Sequence, residues 1–117
     1  MKLIAPALFC LFATPLLADD PEIEKVTAAQ TGGSWRFDVT LSHPDTGWDH
    51  YADGWRVLDM EGKDLGLRVL AHPHVQEQPF TRSLGGVSIP DGTAMVQVQA
   101  RCLVDGWAGE MITVPLN

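Results

Sequence analysis

The sequence predicts an all-β fold, a single β-sandwich of about seven strands like those of immunoglobulin and fibronectin type III domains. Apolar and polar residues alternate with a period of two in several short runs, while no long window shows the period of about 3.6 residues typical of an amphipathic helix. Turn-forming residues separate these runs at intervals of about 8–12 residues, which is typical of sandwiches. A small β-barrel is the alternative arrangement of the same strands.

Seven segments carry the pattern of a β-strand. The clearest is 34–41, where Trp35, Phe37 and Val39 alternate with polar residues. Two later segments flank Glu61-Gly62-Lys63-Asp64, whose composition suits the turn of a β-hairpin. The predicted strands are, in chain order, 23–29, 34–41, 55–60, 65–71, 80–87, 94–103 and 110–116.

The start of the chain has the pattern of a secretory signal peptide, because Lys2 precedes an apolar run that ends in the small residue Ala18. This predicts a signal peptide over 1–18 and one β-sandwich domain over 19–117. Cys10 lies inside the apolar run and not at a cleavage point, which disfavours a lipid anchor. The run is also too short to cross a bilayer. We therefore expect a periplasmic or secreted protein with no membrane span in the mature chain.

Composition bears on partners. Apolar residues make up 45% of the chain, enough for a buried core, and the net charge is −7. Binding to nucleic acid requires clustered Lys and Arg that neutralise phosphates, so this charge disfavours a nucleic-acid partner.

Cys102 becomes the only cysteine once the predicted signal peptide is removed, so we expect no disulfide within the domain. It continues the apolar row of Val96, Val98 and Ala100 along one predicted strand. This position favours a buried and unreactive thiol over a nucleophile.

Histidines and aspartates are concentrated in one part of the chain. All four histidines, His43, His50, His72 and His74, lie there, in the segments Gly-Trp-Asp-His-Tyr-Ala-Asp and His-Pro-His and in the preceding loop. Over about 35–109 the chain resembles a family of small exported bacterial proteins that carry similar segments. The resemblance implies an exported β-sandwich of the immunoglobulin or fibronectin III type and carries over no functional residue.

The predicted hairpin brings these two segments together. A symmetric turn would pair Met60 with Leu65, and continuing that register places Asp53 opposite His72. The predicted core face of the ribbon carries Leu58, Met60, Leu65, Leu67, Val69 and Ala71. The predicted solvent face carries Tyr51, Asp53, Trp55, Asp59, Arg68, His72 and His74.

A metal site is one interpretation of this cluster. His72 and His74 are two residues apart on a strand, so their imidazoles point the same way, and Asp53 would lie across from them. Two imidazoles and a carboxylate suit Zn or Cu, with Asp49 and His50 as further candidate ligands. The alternative is that these residues only hold an irregular loop against an edge strand, with no cofactor at all. If a metal bound elsewhere, His43 and His50 would be the remaining histidines.

The sequence carries no catalytic motif such as a nucleophile elbow or His-Glu-x-x-His, so we expect that the protein is not an enzyme. The primary hypothesis is a non-enzymatic binding module for an unknown protein or small ligand, and the alternative is a periplasmic metal-binding protein. Aromatic side chains often mark binding surfaces. The candidates for such a surface are Trp48, Tyr51, Trp55 and Trp107.

Overall fold

A computed structural model describes residues 20–116, which fold into eight strands. The strands are β1 (Glu22–Thr31), β2 (Ser34–Ser42), β3 (Ala52–Leu58), β4 (Asp64–Val69), β5 (Phe80–Val87), β6 (Met95–Cys102), β7 (Gly106–Trp107) and β8 (Ile112–Pro115). All seven predicted strands are present, and the two-residue β7 is additional. The predicted signal peptide lies outside the described residues.

The strands form two antiparallel sheets that face each other. One sheet has the order β1-β2-β5, and the other has the order β4-β3-β6-β7, with β8 also paired to β6. The predicted sandwich of the immunoglobulin and fibronectin III type is thus confirmed. The alternative of a barrel is wrong, because the sheets do not close on each other.

Alternating residues of the central strands fill the space between the sheets. Phe37 and Val39 of β2 face Trp55 and Val57 of β3 in one cluster, and all four are fully buried. Burying one such side chain contributes about 1.5–3 kcal/mol relative to leaving it exposed. The core therefore follows directly from the period-two pattern that predicted the strands.

The register of the β3–β4 hairpin differs from the predicted one by two residues. Gly54 pairs with Val69, and the amide of Leu70 donates to the carbonyl of Asp53 at 3.0 Å, so Leu70 takes the position predicted for His72. The cause lies in the turn. The Asp59 carboxylate accepts hydrogen bonds from the amides of Glu61 and Lys63, both at 2.9 Å. With the turn closed in this way, residues of β3 such as Gly54 pair with a β4 residue two positions earlier than a symmetric turn over 61–64 predicts.

The faces of this hairpin are also the reverse of those predicted. Trp55, predicted on the solvent face, is completely buried, whereas Leu67 and Val69, predicted on the core face, are 50% and 61% exposed. In β3, Ala52, Trp55 and Val57 belong to the core cluster, and Leu58, which follows a register shift after Val57, is buried as well. The prediction was wrong because it assigned the core face from a row of apolar residues that includes the exposed Leu67 and Val69.

Within residues 20–116, no helix is long and apolar enough to cross a membrane.

Candidate functional site

A buried polar cluster lies where β2 ends and β3 begins. His43 directly follows β2, and its side chain has no exposure to solvent. Asp45 is equally buried, and its Oδ1 lies 2.6 Å from Nδ1 of His43. The intervening loop folds back on itself, since Thr46 donates to the carbonyl of His50 at 3.0 Å. This turn brings His50 back towards His43.

Asp45 is the centre of this cluster. Besides His43, its carboxylate accepts the amide of Ala52 at 3.0 Å and the amide of His74 at 2.8 Å. Asp45 therefore joins the end of β2, the start of β3 and the loop after β4.

Gln78 connects the same loops from the other side. Its Oε1 accepts the amide of His43 at 3.0 Å, and its Nε2 donates to the carbonyl of His74 at 2.8 Å. With Asp45 and Gln78 both bridging the two loops, the backbone around His43 is held by hydrogen bonds on both sides.

His43 is also one of three potential metal ligands that lie close together. One ligand atom from each of His43, His50 and Cys102 lies within 4.8 Å of the others. Cys102 arrives there because it ends β6 and pairs with Ala52, the first residue of β3. The two imidazole rings meet edge to face with their centroids 4.8 Å apart.

Two of these groups show unusual environments. Nε2 of His43 is buried and has no hydrogen-bond partner. Cys102 is fully buried, as the sequence predicted, and burial raises the pKa of its thiol. The backbone amides of Asp105 and Val104 act in the opposite direction by hydrogen bonding to the sulfur, which lowers this pKa.

The histidines of the His-Pro-His segment also come together, with their ring centroids 4.5 Å apart. His74 is buried and stacks on Phe80 at 3.8 Å. Arg82 lies 2.9 Å from Nε2 of His74, and since a guanidinium only donates, Nε2 is the acceptor. Burial, followed by the charges of Arg82 and His72, lowers the pKa of His74. His72 is exposed, with Nδ1 2.9 Å from the carbonyl of Pro73.

The predicted carboxylate ligands have other roles. Asp53 lies 3.3 Å from Arg101 instead of facing His72. Burial raises the pKa of Asp53, and the Arg101 charge opposes that shift. Asp49 is exposed in the loop before β3.

The four candidate aromatic residues separate into different environments. Trp48 is 66% exposed and packs edge to face on Tyr51, with ring centroids 5.7 Å apart. Trp107 is half-buried, and the guanidinium of Arg56 lies 3.8 Å above its ring. Trp55 belongs to the core, so the prediction that it forms part of a binding surface is wrong. Trp48 and Tyr51 thus remain the accessible aromatic pair.

The sequence predicted part of the cluster and missed part of it. The sequence predicts His50 as a candidate ligand, but it gives His43 only as a remaining histidine and Cys102 as an unreactive thiol. The available signal was His43-Pro44-Asp45, in which a carboxylate two residues away can orient an imidazole. Cys102 could not be placed there from the sequence, because its position depends on the pairing of β3 with β6.

Comparison with known proteins gives one similarity. The chain is 38% identical over 96 residues to a protein of Halomicrobium mukohataei named "Putative lipoprotein". The match covers 81% of this chain and 47% of that protein, so the chain spans about half the length of the relative. No protein-family model and no solved structure matches the chain.

Proposed function

We propose that this chain is an exported, non-enzymatic binding module and that its ligand is a transition-metal ion held by His43, His50 and Cys102. The single observation that carries the proposal is that His43, whose buried Nε2 has no hydrogen-bond partner, belongs to a group of three potential metal ligands. A buried polar atom without a partner costs about 1–3 kcal/mol. A metal ion would satisfy it.

Asp45 orients the imidazole of His43 through a hydrogen bond to Nδ1. A carboxylate accepts hydrogen bonds, so Nδ1 of His43 is the donor in this contact, and a metal-binding form of the ring has its lone pair on Nε2. Histidines that bind metals commonly donate their other ring N–H to a carboxylate, which fixes the tautomer and the ring orientation. The pair formed by His43 and Asp45 has this arrangement.

The donor set also suits a transition metal. Neutral imidazole and thiolate are preferred by Zn and Cu, whereas Ca and Mg require oxygen ligands. The three ligand atoms lie within 4.8 Å of one another, and this limit is above the roughly 3.5–4 Å expected around a bound ion. A small inward movement of His50, which is only half-buried, would close that gap.

This site replaces the one predicted from His72, His74 and Asp53. The Nε2 lone pair of His74 accepts from Arg82, and the carboxylate of Asp53 is paired with Arg101. A metal ion bound there would have to displace Arg82 from His74 and Arg101 from Asp53. The group formed by His43, His50 and Cys102 requires no such exchange.

The proposed compartment is the periplasm or the exterior of the cell, supported by the leader pattern and by the similarity to a lipoprotein. Absence of catalysis is part of the same proposal. Generic ester, phosphate and glycoside substrates would test it, since turnover of any of them by the metal-loaded protein would contradict a purely binding role.

Metal titration of the purified full domain tests the binding function. We expect one equivalent of a divalent transition metal to bind, using Co(II) as a visible probe and Zn(II) as its competitor. Co(II) bound by a thiolate gives a sulfur-to-metal absorption that a site of nitrogen and oxygen ligands lacks. Elemental analysis of protein isolated from the exporting host should show the same stoichiometry.

Three variants locate the site. His50→Gln and Cys102→Ser should each abolish the Co(II) absorption while circular dichroism shows an intact sheet. His72→Gln, an exposed histidine outside the group, is the matched control and should bind as the parent does. No binding by the parent protein overturns the function, and binding that survives both site variants overturns the ligand assignment.

A further inference from the structure

The number of available ligands restricts which metal this site can take, and this restriction rests on the function proposed above. The group among residues 20–116 contains three members, two imidazoles and one thiol. Asp45, the carboxylate that contacts His43, already accepts three hydrogen bonds, from His43, Ala52 and His74. It is therefore committed to orienting His43 and is not free to become a fourth ligand.

Zinc is poorly matched to such a set. Structural zinc sites are almost always four-coordinate, and catalytic sites with three protein ligands keep water in the open position. Here both His43 and Cys102 are fully buried, so only the side of His50 offers water a route to the ion. Copper, by contrast, is commonly bound by two histidines and one cysteine in a trigonal arrangement.

The thiol of Cys102 favours the same metal. Thiolate is a soft ligand that selects Cu(I), and divalent affinities rise from Ni to Cu and fall again at Zn.

We infer that the ion is copper, held in a three-coordinate centre by Nε2 of His43, one imidazole nitrogen of His50 and Sγ of Cys102. Binding of Cu(I) replaces the thiol proton of Cys102 with a copper–sulfur bond and releases that proton to solvent. No electron is transferred in this step. His43 is the preoriented ligand, and His50 is the ligand that moves.

Competition between zinc and copper tests this inference. The full domain is loaded with one equivalent of Zn(II) and then titrated anaerobically with Cu(I) delivered from a chelator of known affinity. We expect Cu(I) to displace zinc mole for mole. X-ray absorption of the copper-loaded protein should show one sulfur and two nitrogen ligands.

The variants separate the possible outcomes. Cys102→Ser should remove the sulfur ligand and weaken Cu(I) binding by at least about 100-fold, whereas His72→Gln should leave both unchanged. Zinc that is retained against equimolar Cu(I), or copper bound without sulfur, overturns the copper inference and leaves metal binding standing. Failure of the parent protein to bind either ion overturns both.

Discussion

The amide of His74 donates to the carboxylate of Asp45 at 2.8 Å, so that the loop after β4 is attached to the loop before β3. Asp45 also accepts from His43 and Ala52, and all of these contacts are buried. Asp45 is therefore a central connection between the loops that surround the candidate metal site, and Gln78 is the second.

Replacement of Asp45 by Asn should lower the free energy of unfolding by about 2–4 kcal/mol, because the amide group turns one acceptor into a donor that faces buried N–H groups. Urea unfolding followed by circular dichroism measures the change. Asp49→Asn is the control, since Asp49 is exposed in the same loop and its replacement should change stability by less than about 0.5 kcal/mol. Equal effects of the two variants would contradict the central role of Asp45.

His74 should make the protein less stable in mild acid. Its pKa is lowered in the fold, chiefly by burial, so the unfolded chain takes up a proton first as the pH falls below about 6.5. The stability contribution is therefore complete above that pH and is lost as the pH falls through the lowered pKa. We expect His74→Gln to flatten the dependence of unfolding free energy on pH between about pH 7.5 and pH 5.

The matched control for this pH dependence is His72→Gln, because His72 is exposed next to the same segment. It should retain the slope of the parent protein. A parent-like slope in His74→Gln would show that another group accounts for the acid sensitivity.

Cys102 should resist thiol reagents in the folded, metal-free protein. It is fully buried, and burial raises the pKa of its thiol, so both access and the thiolate fraction are reduced. Labelling with an aromatic disulfide reagent should be slow under native conditions and complete within the mixing time after unfolding in urea. Rapid labelling of the native protein would contradict this burial.

A side chain at Gly66 should crowd the opposite sheet. A Cβ built at this position would lie 3.0 Å from Cδ2 of Leu84 and 3.4 Å from Cγ2 of Val87, both in β5 of the opposite sheet. We expect Gly66→Ala to destabilise the protein by about 1 kcal/mol, because these two side chains must shift to make room. Thermal unfolding measures this change. Gly85→Ala, where nothing lies within 4 Å of the new Cβ, is the control and should change stability by less than about 0.5 kcal/mol.

The fold could be predicted from the sequence because strand formation leaves a local signature. Phe37, Val39 and Leu41 alternate with polar residues, and each lies in the core. The hairpin register was less accessible, since it depends on two hydrogen bonds that the side chain of Asp59 makes within its own turn. A two-residue difference there was enough to remove Asp53 from the predicted histidine pair.

The candidate site was harder to predict because its members come from different sheets. His43 and His50 flank one loop, but Cys102 joins them only through the pairing of β6 with β3. The spacing of these residues along the sequence does not indicate that Cys102 lies near the two histidines. The burial of Cys102, by contrast, was predictable from its apolar neighbours on the same strand.

The positions of His43 and Cys102 have a consequence for the unfolded chain. His43 follows a strand of the three-stranded sheet, and Cys102 ends a strand of the five-stranded sheet. An ion shared by them would act as a reversible cross-link that closes a loop over about half the chain. While the ion is bound, this cross-link would reduce the conformational entropy that the chain gains on unfolding. In a domain whose described residues contain a single free cysteine, resistance to unfolding would then be set by the local concentration of that ion.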